Sequence, residues 1–504
     1  MRRFRRADTI HRIQVRGRRM DTAMGPTRSA EIRSKLNHPV VDGDGHTIEF
    51  GPVLFDYLKQ VAGPKIAERY RARLDAGGWY KLTADERRRR RVSRPTSWGL
   101  PTKNTLDRAT AMLPQLFRER MDDFGLDFSI VYSTLALIVI REEDEEIRRS
   151  VCRALNTMFA DIFSDQADRM TPAACIPAHT PQEAIEELEH AVKVLGLKAA
   201  MITTNVRRPI PAVLEKAPEL AQYAGWMDTL CIDSPYDYDP LWQKCMDLKV
   251  AVTSHSSSVG YGSRVSTNHY IHNHVGSFAA AGEAFAKALV LGGVTQRFPK
   301  LNFAFLEGGV AWASELYAGL VGHCAKRRPK KISNYDPREL DAEKLADLFA
   351  QYGKGLVKGR PDPKDPAFTR WPGGWYWAED DMIAHEIDNL GLKKPEDLRP
   401  LFEPNFYFGC EADDPFVALG FDTKINPFGA KLKPLFSSDV GHWDVTDMNE
   451  VLEEAYELVE HELIDEAEFK DFVFTHPVQL HAGMNPDFFK GTVVEAEVGK
   501  LLKK

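Results

Sequence analysis

Short apolar runs that end in polar residues recur along this chain, and segments with apolar residues at helical spacing separate them. The first such run, Val40-Val41, leads into Asp42-Gly43-Asp44-Gly45-His46. As a strand end it would send Asp42, Asp44 and His46 to one face and the two glycines to the other, because strand side chains alternate. Further strands are predicted at Phe128–Tyr132, Ala173–Pro177, Ala199–Ile202, Val250–His255, Leu301–Glu307, Asn405–Cys410 and Leu435–Asp439. Helical periodicity is predicted over Val53–Leu74, Leu106–Phe124, Glu142–Arg169, Pro181–Leu195, Pro240–Leu248 and Phe278–Phe298. Alternating strands and helices imply a parallel sheet with right-handed crossovers, and eight strands are the number that closes a (β/α)8 barrel. The expected class is therefore α/β, a TIM barrel with a helical insertion between strands six and seven.

Two stretches break the alternation. Residues 326–404 are basic and proline-rich and contain Trp371, Trp375 and Trp377. They read as a lid or a subunit interface on an otherwise single barrel domain, 38–504. The segment Arg94-Pro95-Thr96-Ser97-Trp98-Gly99-Leu100-Pro101 has the make-up of a loop over a binding cavity, and the arginine run 87–91 before it that of a solvated face. Residues 1–37 carry eight arginines in the first nineteen positions and few large apolar residues, so they are expected to form a disordered basic tail, or an over-extended start with initiation at Met20 or Met24.

Composition narrows the function classes. Asp and Glu (73) outnumber Lys and Arg (66), for a formal charge of −7, so nucleic acid is not the expected partner. The six cysteines are scattered without a C-x-x-C pair, which predicts reduced thiols and no structural zinc. No uncharged apolar run reaches the ~18 residues of a membrane span. A soluble cytoplasmic enzyme acting on a small molecule, as a homo-oligomer and most simply a homodimer, is the resulting expectation.

In a barrel of this kind the active site lies at the C-terminal strand ends. Those ends carry Asp44 and His46 (strand one), His255 (five), Glu307 (six) and Asp439 (eight). Asp-Gly-Asp-Gly is also ordinary turn chemistry, and a lone histidine is commonly only a satisfied polar group. Five metal-capable side chains at the same end of one barrel instead suggest a divalent ion such as Zn, Mn or Fe. Glu49, Glu411 and His442 add more donors than one ion uses, so Glu49, Glu307 and His442 stand either as groups that orient the ligands or as holders of a second ion.

These residues carry a resemblance. Asp42-Gly43-Asp44-Gly45-His46, His255, the run Gly292-Gly293-Val294 to Leu301 followed by Leu306-Glu307-Gly308-Gly309, and Ser438-Asp439-Val440-Gly441-His442-Trp443-Asp444 together resemble the amidohydrolase-related family that includes aminocarboxymuconate-semialdehyde decarboxylase. The resemblance runs from about Val40 to Phe489, outside the insertion. It implies a TIM barrel holding one divalent metal on Asp44, His46, His255 and Asp439, with Asp439 also a proton shuttle. The chain departs from the decarboxylase pattern at Asp44, where that family has histidine, and at Glu307, where it has a water-activating histidine. Glu307 becomes the candidate base. His272 and His274 follow strand five as candidates for an anionic or phenolic substrate group, and the resemblance favours His274. Three reactions remain open: hydrolysis of a C–N or C–C bond in a small carboxylate-bearing or aromatic substrate, non-oxidative decarboxylation, and oxygenation by a dinuclear iron or manganese centre. A non-catalytic binding protein is the fourth reading.

Overall fold

The computed structural model describes residues 25–76, 78–96, 103–256, 263–326, 341–353, 355–356, 358–359 and 390–503. Eight strands follow one another around a single parallel sheet: β1 (Val41–Thr47), β2 (Phe128–Ser133), β3 (Met170–Ile176), β4 (Ala199–Ile202), β5 (Val252–Ser254), β6 (Phe303–Phe305), β7 (Phe406–Cys410) and β8 (Lys433–Phe436). Each pairs with the next in parallel register, for example Ala200 with Val252 and Phe305 with Phe408. The ring closes beyond β8, where Asp439 donates its N–H to the Asp44 carbonyl (3.1 Å) and His46 donates to the Val440 carbonyl (2.8 Å). With helices between the strands, this is the expected TIM barrel. A two-stranded antiparallel ribbon, Val206–Pro209 with Gly225–Asp228, is added after β4.

The aromatic layer between sheet and helices follows the strand period. Phe303 and Phe305, two apart on β6, share the outer face and pack edge-on against Trp242 and Trp312 of the flanking helices. Phe406 joins them, with its ring centroid 5.2 Å from that of Phe305. Burying rings of this size is the main source of stability in a core.

Several predicted helices are split where the backbone requires it. Val53–Leu74 is two helices, Gly51–Ala62 and Pro64–Ala76, and Leu106–Phe124 is Thr105–Met112 and Pro114–Phe124. In both cases a proline, which lacks the N–H that would continue the ladder, starts the second helix. Phe278–Phe298 divides into Ser277–Leu291 and Val294–Arg297 at Gly293, whose φ of 71° lies in the left-handed region. The expected tail 1–37 also needs correction within its described part. Arg28–Lys35 is a helix, capped by Thr27 on the Ala30 N–H, with Ile32 buried and Ser29 bonded to the Asn449 carbonyl at 2.6 Å. So short a helix is stabilised by its tertiary contacts and leaves little periodic signal of its own.

The insertion is described only in part, with a helix at Ala342–Tyr352 and helical turns over Pro395–Phe402. Trp371, Trp375 and Trp377, and residues 97–101 of the expected cavity loop, lie outside the described residues. Arg94 is pinned to the segment after β5: its N–H reaches the Ser266 carbonyl at 2.9 Å, and its carbonyl accepts from Asn273 at 2.7 Å.

Candidate metal centre at the barrel mouth

The β1 end does not present its polar residues as simple alternation predicts. The pairing with β2 shifts register between Asp42 and Gly45, a bulge of the kind that re-aims side chains. Asp42 leaves the line: a Cβ on Gly45 would sit 2.6 Å from Asp42 Oδ2, so that carboxylate occupies the space beside Gly45. It accepts from Ser129 Oγ (2.6 Å), Ser438 Oγ (2.9 Å), the Ser438 N–H (3.0 Å) and the Asp44 N–H (3.1 Å). Asp42 thus clasps β1, β2 and the β8 end together just below the site. Replacing it with Asn keeps the volume but puts an amide N–H₂ where donors already point. The expected loss is about 1–3 kcal/mol of stability, measured by denaturant unfolding.

Above this clasp, His46 and His255 bring their Nε2 atoms within 3.0 Å of each other, with the rings at 83°. Asp44 lies against both, Oδ1 at 3.4 Å from His46 Nε2 and Oδ2 at 3.5 Å from His255 Nε2. Asp439 Oδ1 is 3.3 Å from His46 Nε2, and Glu307 Oε2 is 3.1 Å from His255 Nε2. His442 stacks on His46 with centroids 3.6 Å apart and places its Nδ1 2.6 Å from Asp439 Oδ1. Ligand-capable atoms of Asp44, His46 and His255 fall within 4.8 Å of one another, and so do those of His46, Glu307, Asp439 and His442.

Electrostatics separate this cluster from ordinary core. Burial pushes the Asp44, Glu307 and Asp439 carboxyls well above the usual range, and neighbouring carboxylates add to it. Burial holds His46 and His255 well below the ordinary histidine value and His442 at about 4, so all three imidazoles are neutral near pH 7. Both oxygens of Asp44, both of Asp439 and Oε2 of Glu307 are buried without a hydrogen-bond partner. Orphaned buried carboxylate oxygens are costly, and a cation coordinated by them removes that cost. The donor set, neutral imidazole with carboxylate oxygen, suits zinc, manganese or iron.

Two of these residues adopt a rare backbone. Glu307 and Asp439 have φ of 58° and 50°, left-handed values that a side chain disfavours. The turn at Glu307 matters for aim. Alternation from Phe303 and Phe305 would send it outward to the helices, whereas it stands in the mouth against His255. Gly409 leaves the room, since a Cβ there would lie 2.9 Å from Leu306 Cα and 3.1 Å from the Glu307 N.

The remaining candidates are placed apart from the cluster. Glu49 accepts from Ser133 Oγ and from the Leu135 N–H (3.1 Å), which ties the β1 and β2 ends together, and burial raises its carboxyl to about 7. His274 faces Asp444, Nε2 to Oδ2 3.8 Å, beside Trp443. His272 is exposed near the Ser263 carbonyl. His274 lines a cavity of about 330 Å³ with Phe278, Glu307, Glu411, Asp413, Asp414 and Pro415. Three further features of the mouth are not reached by the strand-end pattern. Phe278 packs edge-on against His255, Tyr132 has its ring 6.1 Å from His46, and Asp413 and Asp414 line the mouth. The acidic run Glu411-Ala412-Asp413-Asp414 directly after a predicted strand was the available signal for the last pair.

The family model described as Amidohydrolase matches residues 111–353. Among solved structures, the chain resembles an amidohydrolase from Mycobacterium avium subsp. paratuberculosis K-10 (15% identity, TM-score 0.49, 88% of this chain and 99% of that one). It also resembles a 5-carboxyvanillate decarboxylase from Sphingomonas paucimobilis (13%, 0.47, 88% and 98%). A third is a dihydroxybenzoic acid decarboxylase from Polaromonas sp. JS666 with bound manganese and 2-nitroresorcinol (16%, 0.44, 88% and 97%). The family match over 111–353, on a closed eight-stranded barrel with metal-capable side chains at its strand ends, bears out the resemblance to the amidohydrolase family read from the motifs.

Proposed function

We propose that the protein is a metal-dependent hydrolase acting on a C–N or C–C bond of a small substrate, with Asp44, His46, His255 and Asp439 holding the ion. One observation carries this reading: two neutral imidazole nitrogens 3.0 Å apart face buried carboxylates whose oxygens accept no hydrogen bond. When bound there, a divalent ion lowers the pKa of a coordinated water toward ~7 and polarises a substrate carbonyl.

The chain's own groups supply the proton handling. Glu307, beside His255 and at the edge of the mouth cavity, is placed to take the proton of an attacking water. His442 stays neutral, sets Nδ1 against Asp439, and leaves a buried Nε2 without a partner to meet substrate. His274 is the candidate contact at the rim.

The Asp439–His442 pair equally supports a second reading, non-oxidative decarboxylation, in which that pair delivers a proton to the carbon that loses carboxylate. The overlapping donor group His46, Glu307, Asp439 and His442 supports a third, a dinuclear iron or manganese oxygenase. Elemental analysis of the purified protein tests these together. One zinc or manganese per chain is the expected result, and two iron or manganese ions would replace the hydrolase reading with the oxygenase. Release of CO₂ without uptake of water into the product would replace it with the decarboxylase. We further propose that it works in the cytoplasm as a homo-oligomer on a small molecule. The acidic balance of the chain supports a partner other than nucleic acid, and among the described residues no helix is long and apolar enough to cross a membrane.

A further inference from the structure

At the end of the barrel opposite the metal centre, the helix Arg28–Lys35 meets the helices Val451–Glu460 and Glu466–Lys470 around a cavity of about 620 Å³. His38, three residues before β1, lines it, whereas His46 stands near the far end of that seven-residue strand. The two sites are therefore separated by a distance on the order of 20 Å. His38 is 6% exposed and stacks on Phe474 with ring centroids 6.2 Å apart. Its Nδ1 lies 2.9 Å from the Pro39 carbonyl, which can only accept, so Nδ1 carries the proton and Nε2 is left as an acceptor. Among the described residues no donor reaches Nε2. Burial holds the ring below the ordinary histidine value against the pull of the Pro39 carbonyl and Asp127, and Lys470 and Arg33 add to the effect of burial, so the ring is neutral near pH 7.

The wall around this acceptor is basic on one side and apolar on the other. Arg28 is already engaged, by Glu460 at 2.8 Å and Glu31 at 3.7 Å. Lys35 and Lys470 make no ion pair among the described residues, not even with Glu466, the carboxylate on the same wall. Leu36 and Tyr456 supply apolar surface, and the volume admits a small organic molecule. Two unpaired ammonium groups against one carboxylate leave a recess with a positive surplus, which concentrates anions. We propose that this cavity binds a small organic acid with a hydroxyl beside its carboxylate. Lys35 and Lys470 receive the carboxylate, the hydroxyl donates to His38 Nε2, and the apolar body lies against Leu36 and Tyr456. An inorganic anion would leave the apolar side unused, and a neutral alcohol the two lysines. The site is separate from the metal centre and does not rest on how that centre is read.

Isothermal titration of the metal-loaded protein with three probes tests the proposal: 3-phenyllactate, 3-phenylpropionate, which lacks the hydroxyl, and 3-phenylpropane-1,2-diol, which lacks the charge. Phenyllactate is expected to bind at least about tenfold more tightly than either, as each loses a hydrogen bond or a charge-assisted contact in a partly dry recess. In Lys470→Gln the advantage over the diol should shrink to about twofold or less. In His38→Phe, which keeps the stack on Phe474, the advantage over phenylpropionate should shrink likewise; if that variant lacks the native circular dichroism spectrum, Lys470→Gln decides alone. Both advantages should persist in His255→Ala, where the mouth holds no ion. Absence of either advantage in the wild type would overturn the proposal, and so would an advantage over the diol that survives Lys470→Gln. Loss of binding in His255→Ala would overturn it too, by placing the acid on the metal.

Discussion

Changing His255 to Ala should yield a folded protein that no longer retains its metal and has no measurable turnover. His255 contributes one of two imidazole nitrogens 3.0 Å apart, and its ring is held edge-on by Phe278, so its loss removes a positioned donor from the centre. The barrel core extends around the whole sheet and does not depend on this ring, so the circular dichroism spectrum should be that of the wild type. Thermal unfolding supplies a readout independent of activity. An ion that binds only the folded state adds about 4 kcal/mol when present at a thousand times its Kd. Chelator should therefore lower the wild-type melting temperature by several degrees. His255→Ala should start near that lowered value and not respond to chelator. Wild-type metal content in the variant would show that the ion, if any, sits elsewhere.

The sequence led to this residue by a route that worked only in part. Apolar runs ending in polar residues located all eight strands, because strands buried on both faces are rich in apolar residues over much of their length. The same rule located His46, His255, Glu307 and Asp439 at the mouth. It misplaced Asp42, since a one-residue bulge cancels the alternation and no residue type announces it. It brought Glu307 to the right place without the right cause: the turn inward comes from a left-handed φ, which shows only in the backbone. Glu49, three residues past His46, looked like another donor, yet the chain turns it to Ser133 and Leu135. The helix Arg28–Lys35 left no pattern because its stability comes from contacts as distant in sequence as Asn449.

Glu307→Gln separates the roles this carboxylate can have. The substitution keeps size and hydrogen-bonding capacity and removes the base. Glu307 stands at 3.1 Å from His255, is forced inward by its φ of 58°, and is raised well above the usual carboxyl range first by burial and then by the charges of Glu411, Asp44 and Asp444. A carboxyl raised in this way binds a proton more tightly than a free one does, the property a general base needs in order to take one. We expect turnover to fall by roughly 10²–10⁴, the usual worth of general-base catalysis, with metal content and KM little changed. A fall in metal content would instead make Glu307 a ligand, consistent with its place in the donor group of His46, Asp439 and His442. Unchanged turnover with unchanged metal would return the β6 end to a structural role. In that case the strained backbone at Glu307 would need another explanation, because holding a left-handed glutamate over two glycines costs on the order of 1–3 kcal/mol that packing alone has no reason to retain.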